Sequence, residues 1–113
     1  RAAQSNFDST GGIHASGVFS KEGALLVIHE DVGRHNALDK VIGEGLLKGI
    51  NFSECFLLVS GRISFELMQK AVAARLPLVA GISAPSSLAV SFAKTSGQSL
   101  IGFLRPPKMN VYN

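Results

Sequence analysis

Hydrophobic and polar positions divide the chain into a polar start and eight regular segments. Residues 1–9 show no period and are expected to form a linker or a disordered end, whereas residues 10–113 are expected to form a single α/β domain. Apolar or alternating runs predict strands at 13–20, 24–28, 55–59, 78–82 and 99–104. Helical spacing of apolar residues predicts helices at 35–49, 65–76 and 88–95.

The predicted order is β-β-α-β-α-β-α-β. The short connector at 21–23 makes the first two strands an antiparallel hairpin, and the alternation that follows is typical of parallel strands. We therefore predict an α/β fold with a mixed sheet in a three-layer αβα arrangement, in which helices cover both faces. Pro106 and Pro107 are expected to stop the last strand.

Composition restricts the class of protein. The chain has 113 residues, of which 46% are hydrophobic, so one packed core is expected. The net charge of +3 is scattered, which argues against a nucleic-acid partner, and no apolar run is long enough to span a membrane. The chain begins with Arg1 and not Met, which suggests a piece of a longer protein.

Cys55 is the only cysteine, so disulfides and a cysteine-based metal site are excluded. A reducing, cytoplasmic setting is the weaker implication. Because Cys55 opens an apolar strand, we interpret it as a small buried residue without thiol reactivity.

Polar side chains follow three predicted strands where the next helix begins. The carboxyl ends of parallel strands share one edge of a sheet, so these junctions are expected to form one crevice, with His14 nearby. A helix N-terminus in such a crevice favours phosphate or carboxylate. The candidate crevice residues are Glu30, Asp31, Gly33, Arg34 and His35, then Ser60 and Arg62, and finally Ser86.

Structural roles compete with each of these assignments. The first junction could be a polar turn with a helix cap, and Ser64 and Ser86 are better explained as caps than as ligand contacts. Arg34 could form an ion pair with Glu30 or Asp31. His35 could bind phosphate or act as an acid or base, whereas His29 is interpreted as a packed core residue.

The segment after the last strand is basic. Arg105 and Lys108 flank two prolines, which stiffen the chain and lower the cost of ordering it around a ligand. A guanidinium and an ammonium are both phosphate ligands, although a solvated terminal segment is the alternative.

The predicted order is shared with zinc-dependent deaminases, but the zinc chemistry is absent. Those enzymes need H-x-E on one helix and P-C-x-x-C at the next. Residues 34–37 lack the glutamate after His35, and residues 60–64 lack both cysteines, so we expect no zinc.

Four motifs resemble the formate dehydrogenase accessory protein family, the FdhD sulfur carriers. They occupy residues 10–15, 30–40, 60–70 and 83–89 in that order, and the second and third are long and specific. The resemblance implies a cytidine-deaminase-like core without zinc and makes this chain similar to the C-terminal core of the family.

The resemblance also implies a function in the cytoplasm. Family members take persulfide sulfur from a cysteine desulfurase and pass it to the bis-guanine-dinucleotide molybdenum cofactor of formate dehydrogenase, and they are similar to one another in forming homodimers. A GDP-like moiety would then be the bound group. The family's cofactor-binding run falls on Phe103, Leu104, Arg105, Pro106, Pro107 and Lys108.

One feature departs from the family pattern. The sulfur-carrying cysteine is expected in a C-x-x-C loop upstream of residue 10, and Cys55 does not match it. The chain itself therefore contains no expected catalytic residue, and whether it acts as an enzyme is left open. Two alternatives remain: a non-catalytic scaffold that docks partner proteins, and a deaminase-like hydrolase using His35 with Glu30 or Asp31.

Overall fold

The predicted hairpin and the alternation of strands and helices are both present in the computed structural model, which describes residues 13–105 and 108–113. The predicted linker at 1–9, the motif residues 10–12, and Pro106 and Pro107 lie outside the described residues. In the described part of the chain, the strands and helices are β1 (His14–Ser20), β2 (Leu25–Asp31), α1 (Arg34–Leu47), a 3₁₀ helix (Phe52–Glu54), β3 (Cys55–Val59), α2 (Phe65–Ala73), β4 (Leu78–Gly81), α3 (Ser87–Ser96), β5 (Ser99–Arg105) and β6 (Lys108–Val111).

The strands form one mixed sheet in the order β2-β1-β3-β4-β5-β6. β1 pairs antiparallel with both β2 and β3, while β3, β4 and β5 run parallel to one another. The α/β class and the mixed sheet are thus confirmed. The cytidine-deaminase-like label stays a prediction.

The three helices lie on one face of the sheet and not on two. Their buried side chains form one cluster with inward-facing strand residues, whereas the cluster on the other face contains strand residues alone: Ala15, Phe19, Leu58 and Ala80. The predicted third layer is therefore not found in the described residues. The reason is geometric, because every crossover from β2 to β5 advances in the same direction, and right-handed crossovers then place all helices on the same side.

β2 is longer than the pattern predicted. It continues through Asp31, so Glu30 and Asp31 belong to the strand and not to the junction. Alternate β2 residues face α1, where His29 contacts Glu44 and Asp31 contacts Lys40. These polar contacts fix the last residues of β2. The pattern of apolar residues alone did not predict that the strand extends this far.

The end of the chain folds back as β6, which the sequence pattern did not predict. β6 pairs antiparallel with β5 and makes Arg105 and Lys108 partners in register. The last residues are held as well: the backbone N–H of Tyr112 donates to the Leu100 carbonyl (2.8 Å), and the Asn113 amide donates to the Gln98 carbonyl (2.7 Å). The four residues of β6 are exposed to solvent, but they belong to a paired strand and not to an irregular end.

Candidate functional site

Strand register places three motif residues in one row at an edge of the sheet. His14 is opposite Asp31 in the pairing of β1 with β2, and Ser16 is opposite Val59 in the pairing of β1 with β3. Two residues further along, His14 therefore lies beside Gly61. We call this edge, where α1, α2 and α3 begin, the rim.

His14 and Arg34 converge on the backbone of Gly61. A Cβ at position 61 would stand 2.8 Å from His14 Nδ1 and 3.3 Å from Arg34 Cδ. Any larger residue would therefore displace the imidazole or the arginine. The structure brings together residues from three separate motifs at this point, whereas the third predicted junction, which contains Ser86, takes no part in this contact.

Arg34 has an unused donor in this cluster. Its Nε is buried and has no hydrogen-bond partner among the described residues. A buried donor without an acceptor is costly, so an acceptor such as a phosphate or carboxylate oxygen would be favourable here.

The N-terminus of α1 also favours an anionic ligand at this position. Gly33 is its N-cap and offers no side chain to the first N–H groups of the helix. Helices α2 and α3 are capped by serine hydroxyls, so α1 differs from both. Uncapped N–H groups carry the positive end of the helix dipole and suit an anion.

Asp31 does not form an ion pair with Arg34, which was one of the structural alternatives for this junction. Its carboxylate accepts from Lys40 Nζ (2.6 Å) and from the backbone N–H of Gly33 (3.0 Å). These two donors hold the pKa of Asp31 at about 2, below its ordinary 3.8. Asp31 is therefore ionised at neutral pH and fixes the entry to α1, which makes its role structural in this geometry.

Glu30 lies on the other face of the sheet. It is exposed and stands opposite Ala15, whose side chain belongs to the helix-free face. Residues directly opposite each other in an antiparallel pair share a face, so Glu30 points away from Arg34. The alternative ion pair between Glu30 and Arg34 is also not formed.

His29, interpreted as a core residue, is only half buried. Its Nε2 contacts a carboxylate oxygen of Glu44 on α1, and Lys48 contacts the other oxygen (2.6 Å). Both partners lower the pKa of Glu44. This cluster joins β2 to the C-terminal end of α1 and lies away from the rim.

The two serines proposed for the crevice have hydrogen bonds within the fold. Ser60 Oγ accepts from the backbone N–H of Ala15 (2.8 Å), and Ser86 Oγ accepts from that of Ala89 (3.1 Å). Ser64 caps α2 in the same way (3.1 Å to the N–H of Leu67). The capping explanation of Ser64 and Ser86 is thus what the structure shows, whereas a ligand contact remains a prediction.

His35 and Arg62 also lie at the rim. His35 is half buried in the first turn of α1, and Arg62 is exposed between β3 and α2. Neither forms an ion pair with a described residue, so both stay candidates for an anionic ligand.

The described residues of the basic run lie at the end of β5 and the start of β6, and we call these two strand ends, at Arg105 and Lys108, the hairpin tip. Phe103 has a left-handed backbone with φ of 51°, and its N–H donates to the Ser83 carbonyl (3.2 Å) at the junction of β4 and α3. The register shifts between Gly102 and Arg105, which marks an irregularity at this position. The bond to Ser83 fixes the hairpin tip against the rim.

The hairpin tip and the His14 cluster lie at the same edge but are not adjacent. Three strand spacings separate β1 from β5, which is about 14 Å. A single phosphate cannot span that distance. A dinucleotide with phosphates and bases spread along the rim has the required length.

Cys55 is buried and distant from the rim. It is 6% exposed and lies at the opposite end of β3 from Ser60, about 16 Å away. Burial, followed by the charges of Glu54 and Glu22, raises the pKa of its thiol. The interpretation of Cys55 as a small buried residue is confirmed.

Two further features concern metals and membranes. Within residues 13–105 and 108–113, no three His, Cys, Asp or Glu side chains are grouped closely enough to hold a metal ion. None of the helices in the same ranges is long and apolar enough to cross a membrane.

The sequence reasoning missed two contributors to the rim. Gly61 was read as part of a polar junction, although its missing Cβ is what admits His14. Gly102 was not considered, yet a Cβ there would stand 2.8 Å from Pro85 Cδ and 2.9 Å from Tyr112 Cε2. The available signal was a glycine inside a predicted strand (Gly102) or just after one (Gly61), which often marks a close approach of two chain segments.

The whole chain matches a family model and a set of curated relatives. Residues 1–113 match the model described as FdhD/NarQ family. The chain is 59% identical to the sulfur carrier protein FdhD of Streptomyces avermitilis, covering 99% of this chain and 40% of the relative. It is 55% identical to that of Mycobacterium tuberculosis, covering 99% and 41%, and 49% identical to that of Saccharolobus solfataricus, covering 99% and 44%. The chain thus spans less than half the length of these relatives.

A solved structure has the same fold. It comes from Desulfotalea psychrophila, is described as a formate dehydrogenase accessory protein, and superposes with a TM-score of 0.85 at 36% identity. The match covers 96% of this chain and 48% of that one. Together with the family model, which spans every residue, these similarities show that the chain belongs to the FdhD/NarQ family.

Proposed function

We propose that this chain is the part of a sulfur carrier that binds the guanine dinucleotide of the molybdenum cofactor made for formate dehydrogenase. The names of the relatives support the sulfur-carrier role, and the description of the solved relative supports the link to formate dehydrogenase. In this proposal the cofactor is a client that the protein holds while sulfur is delivered, and a cysteine desulfurase supplies that sulfur in the cytoplasm.

The observation on which the proposal rests is the unsatisfied cationic character of the rim. Among the residues that the structure describes, none accepts a hydrogen bond from the buried Arg34 Nε, and none caps the start of α1 with its side chain. Arg105 and Lys108 are exposed at the hairpin tip on the same edge. An elongated anion with two phosphate regions would satisfy both groups.

The proposal gives each group of residues a separate task. Arg105 and Lys108 bind phosphates at the hairpin tip, with Phe103 and Leu104 of the same run beside them. The start of α1, with Arg34 and His35, binds a second anionic group. The rim orients the client, and the persulfide is brought to it by a cysteine outside these 113 residues, because Cys55 is buried at the far edge.

Calorimetry with GDP tests the assignment of the cationic residues. Arg105→Ala and Lys108→Ala are each expected to weaken GDP binding about fivefold to tenfold, since a charge-assisted hydrogen bond contributes roughly 1–1.5 kcal/mol at an exposed site. Lys94→Ala, which removes an exposed cation from α3, is the matched control and should leave the affinity unchanged. Unchanged affinity in both rim variants would remove the assignment.

The homodimer that the family resemblance implies is part of the proposal. Sedimentation velocity on the chain, with and without GDP, measures it directly. A monomer under both conditions would exclude dimerisation through these 113 residues.

A further inference from the structure

The imidazole of His14 is held in a fixed position at the rim, beside the groups that bind the anion in the proposed function. His14 begins β1 and is half buried. The next residue, Ala15, donates its N–H to the Ser60 hydroxyl (2.8 Å) and accepts at its carbonyl from the Ser60 N–H (3.0 Å). The backbone beside His14 is therefore fixed to the chain just after β3, and the missing Cβ of Gly61 leaves room for the ring.

The ring lies close enough to Arg34 for both side chains to bind the same anion. His14 Nδ1 and Arg34 Cδ lie 2.8 and 3.3 Å from one point, the position that a Cβ would take at Gly61. Arg34 Nε is bonded to Cδ, and no described residue accepts a hydrogen bond from it. Two donors about 6–7 Å apart can reach different oxygens of one phosphate group, since each N–H···O distance is about 2.9 Å.

Asp31 and Arg34 are the charged groups that face His14 most directly. Asp31 stands opposite His14 in the pairing of β1 with β2, so the two side chains share the helix-covered face of the sheet. The Asp31 carboxylate already accepts from Lys40 Nζ (2.6 Å) and from the N–H of Gly33 (3.0 Å). Lys40 thus balances the charge of Asp31, and Arg34 makes the surroundings of His14 positive.

Three further ionisable side chains belong to the elements around His14. His35 is half buried in the first turn of α1, Arg62 is exposed between β3 and α2, and Glu66 is exposed in the first turn of α2. β3 itself contributes only Cys55, at its far end. Because solvent screens exposed charges of opposite sign, Arg34 and an anion bound to it have the largest effect on the imidazole.

We propose that His14 is a ligand of the anion bound at the start of α1, and that binding of this anion is coupled to protonation of the imidazole. The inference rests on the proposed function, because the anion is the phosphate region of the guanine nucleotide. Histidine is the side chain whose charge ordinarily changes between pH 5 and 8, and a nearby anion favours its charged form. The nucleotide therefore binds together with a proton from solvent, and its affinity falls as the pH rises.

Calorimetry with diguanosine pyrophosphate at pH 7.5, in Tris and in Hepes, tests the inference. The two buffers differ in their enthalpy of ionisation, so the difference between the observed binding enthalpies gives the number of protons taken up. This ligand replaces GDP because a terminal phosphate itself titrates near pH 6. A free imidazole is about one-tenth protonated at this pH, and an opposite charge shifts such a titration by about one unit or more, so uptake of roughly half a proton per ligand is expected.

The pH dependence of binding separates a ligand role of His14 from a purely structural one. The affinity for diguanosine pyrophosphate should be about fivefold to tenfold higher at pH 6 than at pH 8. His14→Gln should remove both the proton uptake and the pH dependence, since glutamine keeps an N–H donor but does not titrate. His29→Gln is the matched control and should leave both unchanged, because His29 pairs with Glu44 away from the rim.

A second measurement needs no variant. The NMR signals of the His14 ring in the parent chain should move toward those of an imidazolium ion when diguanosine pyrophosphate is added at pH 7.5. The signals of the His29 ring should stay where they are.

Three results would overturn the inference. One is binding without proton uptake, which would leave the proposed function intact. Another is proton uptake that persists in His14→Gln and disappears in His35→Gln, which would assign the proton to the first turn of α1. The third is no binding of diguanosine pyrophosphate at any pH from 6 to 8, which would contradict the proposed function as well.

Discussion

The imidazole of His14 occupies the space that a side chain at Gly61 would need. The nearest approach, between an ideal Cβ at position 61 and His14 Nδ1, is 2.8 Å, and Arg34 Cδ follows at 3.3 Å. This contact joins the start of β1, the end of β3 and the start of α1 in one place. The absence of a Cβ at Gly61 is therefore as important for the geometry of the rim as the polar side chains around it.

Gly61→Ala should weaken GDP binding without unfolding the chain. The added methyl group would push the His14 ring and the Arg34 stem, and overpacking of this kind typically costs about 1–3 kcal/mol. We expect GDP affinity to fall about tenfold or more in calorimetry, because the anion-binding groups are displaced.

Gly43→Ala is the matched control. A Cβ there meets nothing within 4 Å, and the position lies within α1. Alanine in a helix interior is about 0.5–1 kcal/mol more favourable than glycine, so urea unfolding should show a stabilised chain. GDP affinity should match that of the parent chain. Equal affinity in Gly61→Ala would show that the His14 cluster is not part of the binding site.

Ser86→Ala should lower stability and leave nucleotide affinity unchanged. The Ser86 hydroxyl accepts from the N–H of Ala89 (3.1 Å), and losing a cap of this type costs about 1 kcal/mol. Ser64→Ala, which removes the cap of α2, is the comparison, and urea denaturation should give a similar loss for both. If Ser86→Ala weakened GDP binding and Ser64→Ala did not, Ser86 would have a ligand contact beyond its cap.

Ionisation of the Asp31 carboxylate should make part of the free energy of unfolding depend on pH in the acid range. Its pKa is lowered to about 2 in the folded chain, from an ordinary 3.8. The stabilisation is therefore fully present above about pH 4 and is lost as the pH falls through about 2, because protonation ends the contact with Lys40. Urea unfolding across this range should show a shallower acid dependence for Asp31→Asn than for the parent chain. Parallel pH profiles for the two proteins would contradict the assigned contact.

Cys55 should react slowly with alkylating reagents in the folded chain. Its thiol is buried, and its pKa is raised by burial and by nearby carboxylates. Iodoacetamide modification, followed by mass spectrometry at pH 8, should be more than about tenfold slower than in urea, because the thiolate is the reactive form.

A matched control for thiol exposure is Ser99→Cys in a Cys55→Ala background, because position 99 is exposed at the start of β5. That thiol should react readily without denaturant. Rapid modification of Cys55 in the folded chain would contradict its interpretation as a buried residue without thiol reactivity.

Much of the fold could be predicted from apolar periodicity and turn residues. The predicted ends of the first and third helices are close to Gly49 and Gly97, which have φ of 72° and 78° just after α1 and α3. These signals are local, so they can be read from neighbouring residues. β6 and the side of the sheet that the helices cover depend on long-range pairing and on crossover direction, which no local pattern contains.

The candidate site was predictable as a location and less so as a set of contacts. Strand ends and helix starts identified the rim, because parallel strands align their carboxyl ends. The hydrogen-bond partners of the individual side chains were harder to predict. Asp31 pairs with Lys40 and not with Arg34, because the alternation of side chains along β2 decides which residue of α1 it faces. The approach of His14 to Gly61 was also hidden, because it joins residues 47 positions apart in the sequence.

The central claim is that one edge of the sheet, from the start of α1 to the tip of the β5–β6 hairpin, binds a guanine nucleotide. Titration of the ¹⁵N-labelled chain with GDP, followed by amide chemical shifts, tests it most directly. We predict saturable shifts at the rim, at Gly33, Arg34, Gly61 and Arg105, and unchanged signals at the far edge, at Gly23, Gly49 and Ser99. Largest shifts at the far edge, or no shifts at any GDP concentration, would contradict the account.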